Sequence, residues 1–532
     1  MGLHIREKKN SSGTISIQII DRKNRGYKVV ETVGCAKNDK EKQLCLEIAA
    51  TRLAELNKKL YPTLFDKSAQ DDKLEFLSFS NKELIPTGDE LIYGKLFKEL
   101  GCHRIDLDGK KLKLFKALVI SRLLYPGSKL YLIDYLAYFK HEHIDKNRIY
   151  RFLDTLYQEK IKNQIETCIF NHTQKVMDNT ITVTFYDVTT LYFESESEDD
   201  LRCIGFSKEG KLARPQILLG LFTTLQGYPL SYEVYEGNKY EGHTLIDILK
   251  KFQAKFQLKN KPIVVADRGM LNNANIAYLE QNGYKYILAY KIKNISSELK
   301  KKIANLIFTN DHVIHTIEYE KEISYKDNDD KKQTLDIKQN LILTYSSKRA
   351  KKDKITRQKA IEKIQTTLTK KKITKADLKL SYYAKYLDMD DKCAIQYKLN
   401  PDKVELDAKL DGIKGFATND FTLKADDVIA HYQNQYDVEK AFRISKTDLQ
   451  IRPIYHRVET RIKAHILISF VSYAIYKEFE RRLKRHKVSF DFSGKLLRDI
   501  IKHMYALNVD GKLLYLKFDD VQQMVYDAVN NE

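Results

Sequence analysis

Cysteine is sparse and scattered: six residues in 532 (Cys35, Cys45, Cys102, Cys168, Cys203 and Cys393) form no C-x-x-C pair and match no histidine cluster. That pattern argues against a disulfide framework and a structural zinc site, and it fits a reducing cytosol. Long apolar runs are missing as well. The longest, HILISFVSYAIY from His465, is too short to span a bilayer, and the opening MGLHIREKKN has no apolar leader segment. A soluble, unsecreted chain without a membrane partner is expected. There is no repeat of fixed period, no long low-complexity linker, and no G-x-G-x-x-G to open a dinucleotide-binding unit.

Basic charge is abundant. Lys and Arg number 92 against 72 Asp and Glu, giving a formal charge of +20 and a pI near 9.2. This balance suits a polyanionic partner such as nucleic acid, although the high acidic count separates the chain from a simple basic coat protein. At roughly 150 residues per domain, the length allows about two to four domains.

Texture changes along the chain suggest where they lie. Residues 1–65 alternate as TISIQII and YKVVETV and then turn helical from Asp39 to about Leu60, which reads as a small β-hairpin plus helix module. Residues 66–179 carry helical patterns broken at Pro126 and Gly127, a candidate DNA-binding or dimerisation domain with no clear helix-turn-helix signature. From residue 180 to 293 the runs ITVTFYDVT, PQILLGLFTTL, YPLSYEVYEG, PIVVAD and YKYILAYK, with helices after the third and fourth, give the order β-β-β-α-β-α-β. Residues 294–405 form a Lys-rich, mixed α/β insertion. Residues 406–485 return with the strand-like GFATN, a helix from near Lys424 and a long helix from about Glu459 to Arg485, and residues 486–532 read as helical.

Three acids stand out within this order. Asp187 ends the first strand in FYDVTTLYF, Asp267 ends the fourth in IVVADRG, and Glu439 sits on the late helix. The helix before the fourth strand supplies the crossover that a parallel neighbour of the first strand needs, so the two aspartates are expected side by side. Like charges so close are tolerated mainly when a cation neutralises them, and a third carboxylate from a packed helix would complete an oxygen donor set. Mg²⁺ suits such ligands, with Mn²⁺ as the alternative, and two ions could activate an attacking oxygen and stabilise a leaving one. In a basic protein that site points to chemistry at a phosphodiester. Each acid also has a plainer reading: a loop cap at Asp187, a turn at Asp267, a surface glutamate at Glu439.

The late helix carries one more pattern. In HYQNQYDVEKAFRISKTDLQIRP, Tyr432, Gln435, Glu439 and Lys446 fall at spacings that a regular helix gathers within about 60°. The stripe is polar where a core-facing stripe would be apolar.

Y-D-V-T-T-L-Y-F at Tyr186, E-G-N-K-Y-E-G-H-T-L at Glu236, V-V-A-D-R-G-M-L at Val264 and the late Y-x6-E-x6-K helix together resemble the DDE transposases of bacterial insertion sequences, of the IS4 type and its IS1634-like branch. The resemblance covers most of the chain. It implies an RNase H-like catalytic core whose last acid follows an insertion, with Asp187, Asp267 and Glu439 as the metal-binding catalytic triad. It also implies Mg-dependent cleavage at insertion-sequence ends and strand transfer into target DNA, in some relatives through a hairpin intermediate. Tyr432 and Lys446 match the family's DNA-contacting Tyr and Lys, while Gln435 replaces the family's Arg and removes a charge there; Arg443 is a candidate substitute.

Several neighbours join the expected DNA contacts. Thr189 and Thr190 follow Asp187, and Arg268 follows Asp267, so each is placed to meet a phosphate or merely to serve the local fold. Asn238, Glu241 and His243 lie before the next helix, and the helix around Lys348 to Arg357 could hold DNA backbone or present a solvated face. The acidic run FESESEDD reads as a solvated loop. The expected partners are double-stranded DNA, as terminal inverted repeats and target, and a second copy in a homodimeric synaptic complex, in the cytoplasm of a bacterium and on the nucleoid when bound. An RNase H-like nuclease or resolvase that cuts without joining, and an inactive transposase-derived DNA-binding protein, remain as alternatives.

Overall fold

Ile17 and Ile19 alternate with polar residues along β2 (Ile15–Lys23) and are fully buried. Their burial makes β2 the middle strand of an antiparallel sheet between β1 (Leu3–Lys9) and β3 (Gly26–Ala36), covered by the helix Asp39–Leu60. The sequence pattern shows the β2–β3 hairpin but hides β1, because LHIREKK places four charged residues in a row. In the computed structural model this sheet belongs to the unit Met1–Ser80, and the rest of the chain forms a second unit, Asn81–Glu532. The structure describes residues 3–23, 26–60, 83–140, 142–206, 210, 213–258, 260–270, 272–290, 292–327, 330–368, 385–390, 396–486 and 494–531.

The second unit is built on an eight-stranded mixed sheet. Its strands are β5 (Val183–Tyr192), β6 (Gln216–Thr224), β7 (Pro229–Glu236), β8 (Ile263–Ala266), β9 (Tyr286–Tyr290), β10 (Ile314–Lys326), β11 (Lys332–Tyr345) and β14 (Ile413–Thr418), in the order β10-β11-β14-β9-β8-β5-β6-β7. Only β5, β8 and β9 run parallel to one another. The other strands of this unit among the described residues are β4 (Leu84–Pro86), the pair β12 (Leu387–Asp390) and β13 (Gln396–Leu399), and the hairpin β15 (Tyr505–Val509) with β16 (Lys512–Tyr515). From β5 to β9 the elements run β-β-β-α-β-α-β, with helices Leu245–Phe256 and Asn273–Gln281 in the crossovers. Asn272 starts the second of these by accepting a hydrogen bond from Asn275 N, a side-chain cap for an otherwise orphaned donor.

Alternation along β5 sorts its side chains between two cores. Tyr186 and Val188 pack with Leu249, Phe252 and Val264 beneath the crossover helices. Phe185 and Leu191 join Val265, Phe442 and the helix Glu459–Arg485 on the opposite face. That long helix, which its pattern makes amphipathic, is instead buried on almost every side through its middle, because apolar residues run without a break in charge from Ala464 to Tyr476 and ion pairs accompany the charged residues buried beyond them. It packs against helices Gly109–Leu124, Lys146–Leu156 and Glu159–Val176, so the described part of residues 66–179 shares one hydrophobic core with the sheet.

Two other segments are also tied in. β10 and β11, from the segment read as an insertion, extend the sheet through the pairing of β11 with β14. The C-terminal stretch, read as helical, contains helices Gly494–Lys502 and Asp520–Asn530 with β15 and β16 between them, and β15 pairs with β4. No helix among the described residues is long and apolar enough to cross a membrane.

A buried charge lies in the C-terminal third of the long helix. Glu478 is fully buried and accepts hydrogen bonds from Tyr228 Oη at 2.8 Å, Arg481 Nη2 at 2.8 Å and Arg482 Nε at 2.7 Å. Burial would raise its pKa, yet His172 beside it and the Arg481 and Arg482 guanidiniums hold it well below the usual carboxylate range. Removing the carboxylate would take one carboxylate partner from Arg482, which keeps Glu99, and leave the Tyr228 hydroxyl and the partly buried Arg481 without this acceptor. Glu478→Ala is therefore expected to cost about 3–5 kcal/mol, measured by urea unfolding; a loss under about 1 kcal/mol, the scale of an exposed pair, would contradict this reading.

Candidate active site

β5 runs on to Tyr192, so Asp187 lies within the strand and not at its end as its motif implies, because VTTLY continues the ladder with β6. Register decides where the two aspartates stand. β5 and β8 pair in parallel with Tyr186 opposite Ala266, so the next residue on each side is an aspartate, Asp187 and Asp267. Neighbouring strands lie about 4.8 Å apart. Both side chains alternate to the face that holds Phe185 and Val265, the face packed by the later helices. Both are half-buried, and Asp187 Oδ1 accepts a hydrogen bond from Val188 N at 2.7 Å.

Behind the pair, the E-G-N-K-Y-E-G-H-T-L loop is pinned to the sheet. Tyr186 Oη donates to Thr244 Oγ1 at 2.8 Å, and that hydroxyl donates to Glu241 O at 2.6 Å. Asn272 and Asn275 both donate to Gly242 O, drawing the turn after Asp267 against the loop. Glu241 Oε2 comes so near Gly269 that a Cβ there would stand 3.3 Å from it.

The late helix differs from the single regular rod implied by the spacing. It is two helices, Ala425–Gln433 and Gln435–Arg443, meeting at Asn434 and followed by a π turn, Ile444–Asp448. The wider i→i+5 turn moves Lys446 off a strict 100° stripe. Tyr432 reaches the acids directly: its hydroxyl donates to Asp267 Oδ1 at 3.3 Å while its ring packs 4.8 Å from that of Phe416 on β14. Glu439 is exposed on the helix that packs against β5. Thr189 is buried two residues beyond Asp187 on the same face of β5, Arg443 is exposed, and Lys446 is half-buried. The side chains of Arg268 and Gln435 lie outside the described part of the structure.

Sequence reasoning missed what fixes the Glu439 helix. Lys440 Nζ bonds Glu480 Oε1 at 2.6 Å, and Lys477 Nζ bonds the other oxygen at 2.6 Å, so the long helix grips the residue next to Glu439. Burial alone would raise the Glu480 carboxyl, but the two lysines outweigh it and hold it at about 2. Lys477 itself is pushed down by burial, so the pairing is bought at the lysine end. No repeat spacing in the sequence signals a contact between residues 440 and 480. The helix around Lys348 to Arg357 is also less free than its composition implies, because Arg357 is turned inward onto Asp411.

The sequence profile of the family described as Transposase DDE domain matches residues 178–475, more than half of the chain. The chain belongs to this transposase family. No curated protein matches it. Among solved structures, this transposase-family chain is similar to a cryo-EM structure of a piggyBac transposase synaptic complex with hairpin DNA, at 9% identity and a TM-score of 0.37, over 78% of this chain and 76% of that one. A likeness so distant adds no weight to what the profile establishes.

DDE transposases generally use divalent metal ions, and the adjacent Asp187 and Asp267 carboxylates fit such a cation as hard oxygen donors. Among the described residues, no three His, Cys, Asp or Glu side chains are grouped closely enough to hold a metal, so the structure unites the two aspartates but does not bring Glu439 onto them.

The Glu480 anchor makes a pH prediction. Its carboxyl is depressed in the fold, so the stability it gives is fully present above the unfolded value near 4.5 and is lost as pH falls towards about 2. Wild-type chain should exceed Glu480→Gln by on the order of 3 kcal/mol at neutral pH, with the gap closing across that acid window in denaturant titrations. A gap independent of pH would contradict the assignment.

Proposed function

We propose that this chain is a DNA transposase of a bacterial insertion sequence, of the IS4 type and IS1634-like branch, which cleaves the element's ends and joins them to target DNA. The observation that carries the reading is the pairing of Tyr186 with Ala266, which sets Asp187 and Asp267 side by side in a chain of net charge +20. The strand order β7-β6-β5-β8-β9, with three antiparallel strands leading into parallel ones through helical crossovers, supports an RNase H-like core. The quoted motifs around Asp187, Asp267 and Glu439 support the branch.

In this reading Asp187 and Asp267 hold the divalent cation, and Glu439 completes the set when its helix closes on bound DNA. A magnesium ion, when bound, supplies charge that polarises the scissile phosphate and favours deprotonation of the attacking hydroxyl. Tyr432 orients Asp267 through its hydroxyl and presents its ring edge towards the DNA end. Lys446 and Arg443 supply positive charge beyond the acids, with Thr189, Arg268 and Gln435 as further DNA contacts. The working unit is a homodimer that pairs two ends.

The test uses the full chain with Mg²⁺ and duplex DNA bearing the inverted repeats that flank its gene. Strand-transfer products are expected. Cuts without joining would favour a nuclease or resolvase, and binding with neither an inactive derivative. Asp187→Asn, Asp267→Asn and Glu439→Gln should each lower cleavage by at least ~100-fold, as loss of an electrostatic group does, while duplex binding persists. Unchanged cleavage in all three would sink the site assignment.

A further inference from the structure

The strand that carries Asp187 ends against a second basic site. At the C-terminal end of β5, Ile454 N donates to Tyr192 O at 3.4 Å, and Phe193 and Ile454 form a parallel bridge. The Arg452 guanidinium lies 5.7 Å from the Tyr192 ring centre. The loop stitched on in this way covers a cavity of about 560 Å³ that is lined by four arginines, Arg122, Arg452, Arg457 and Arg461, with His456 and His465; none of its described lining residues is acidic.

Arg122 gives the cavity its chemistry. It is 4% exposed, and its guanidinium donates to the carbonyls of Leu449 at 3.1 Å and Gln450 at 2.9 Å and lies 3.4 Å from His465 Nδ1. Carbonyls orient a guanidinium without neutralising it. Arg461 is matched bidentately by Asp154, at 2.5 and 2.7 Å, but neither Arg122 nor Arg457 has a carboxylate partner among the described residues. A buried, uncompensated guanidinium facing an open cavity favours an anion with several oxygens, because such an ion returns both charge and hydrogen bonds.

We propose that this cavity is a phosphate site that takes a phosphodiester of the bound DNA about five nucleotides from the cut, separate from the aspartate pair. Tyr192 is five residues beyond Asp187 on β5, a span of ~17 Å at ~3.3 Å per residue. A DNA strand advances ~3.4 Å per nucleotide, so one strand laid along this direction reaches the cavity at about the fifth phosphate. The DNA part of the proposal rests on the proposed function, whereas the anion site rests on the cavity alone.

Two measurements on the full chain test it, both with the exposed-side pair Arg452→Gln/Arg457→Gln, which leaves the buried Arg122 in place. In the first, tripolyphosphate is titrated during thermal unfolding. The parent should gain Tm and the double variant should gain little. In the second, an Asp187→Asn background prevents cutting, and duplex affinity is followed against salt. The double variant should flatten the log–log slope by about one unit for each phosphate that it no longer neutralises. Equal tripolyphosphate stabilisation of parent and variant, or an unchanged slope, overturns the proposal. A parent that binds no duplex at all contradicts the proposed function as well, which an unchanged slope does not.

Discussion

The parallel register of β5 and β8 is the constraint on which the site depends. β8 is only four residues long, paired on both edges and buried on both faces, so its position is fixed by Val264 and Ala266 on one side and Val265 on the other. A slip of one residue would exchange those faces. Asp267 would then point beneath the crossover helices, away from Asp187 and Tyr432. The apolar pattern of IVVA thus acts on the pair indirectly, by penalising the one-residue slip that would turn Asp267 away from Asp187.

The second level of organisation is the helix Glu459–Arg485. Its apolar surface joins the sheet to the preceding helices, and its buried ions are paired: Glu478 with Arg481, Arg482, His172 and Tyr228, and Glu480 with Lys440, Lys477 and Lys484. A buried charge gives little net stability but penalises wrong packing heavily. The same helix therefore fixes the core and sets the angle of the element carrying Glu439. Its first turn borders the arginine-lined cavity, which places the acidic and the basic site on one continuous framework.

Much of this was legible in the residues. Alternating and β-rich runs marked β2, β3, β5, β6 and β7, and the helix from Glu459 to Arg485 followed from its amphipathic pattern, though not its burial on almost every side. The adjacency of Asp187 and Asp267 came from a topological rule that needs only the order of strands and helices. What escaped was long-range or locally disguised. Charged residues masked β1, and β4 pairs with β15 across more than 400 residues with no local signal. The break at Asn434 and the π turn at Ile444–Asp448 are packing responses that a fixed 100° step cannot show. The resemblance marks Tyr432 as a DNA contact, whereas its bond to Asp267 depends on the fold bringing β8 and the late helix together. The arginines at 452, 457 and 461 carry no motif, and only the cavity shows that they converge with Arg122 from a distant helix.

The central claim is that Asp187 and Asp267 hold the cation that works on DNA. Anomalous diffraction from crystals of the full chain grown with Mn²⁺ and a duplex of the element's end tests it most directly. The account predicts a manganese peak bridging the two carboxylates, with Glu439 drawn towards it. Manganese bound elsewhere, with both aspartates outside its coordination sphere, would contradict it.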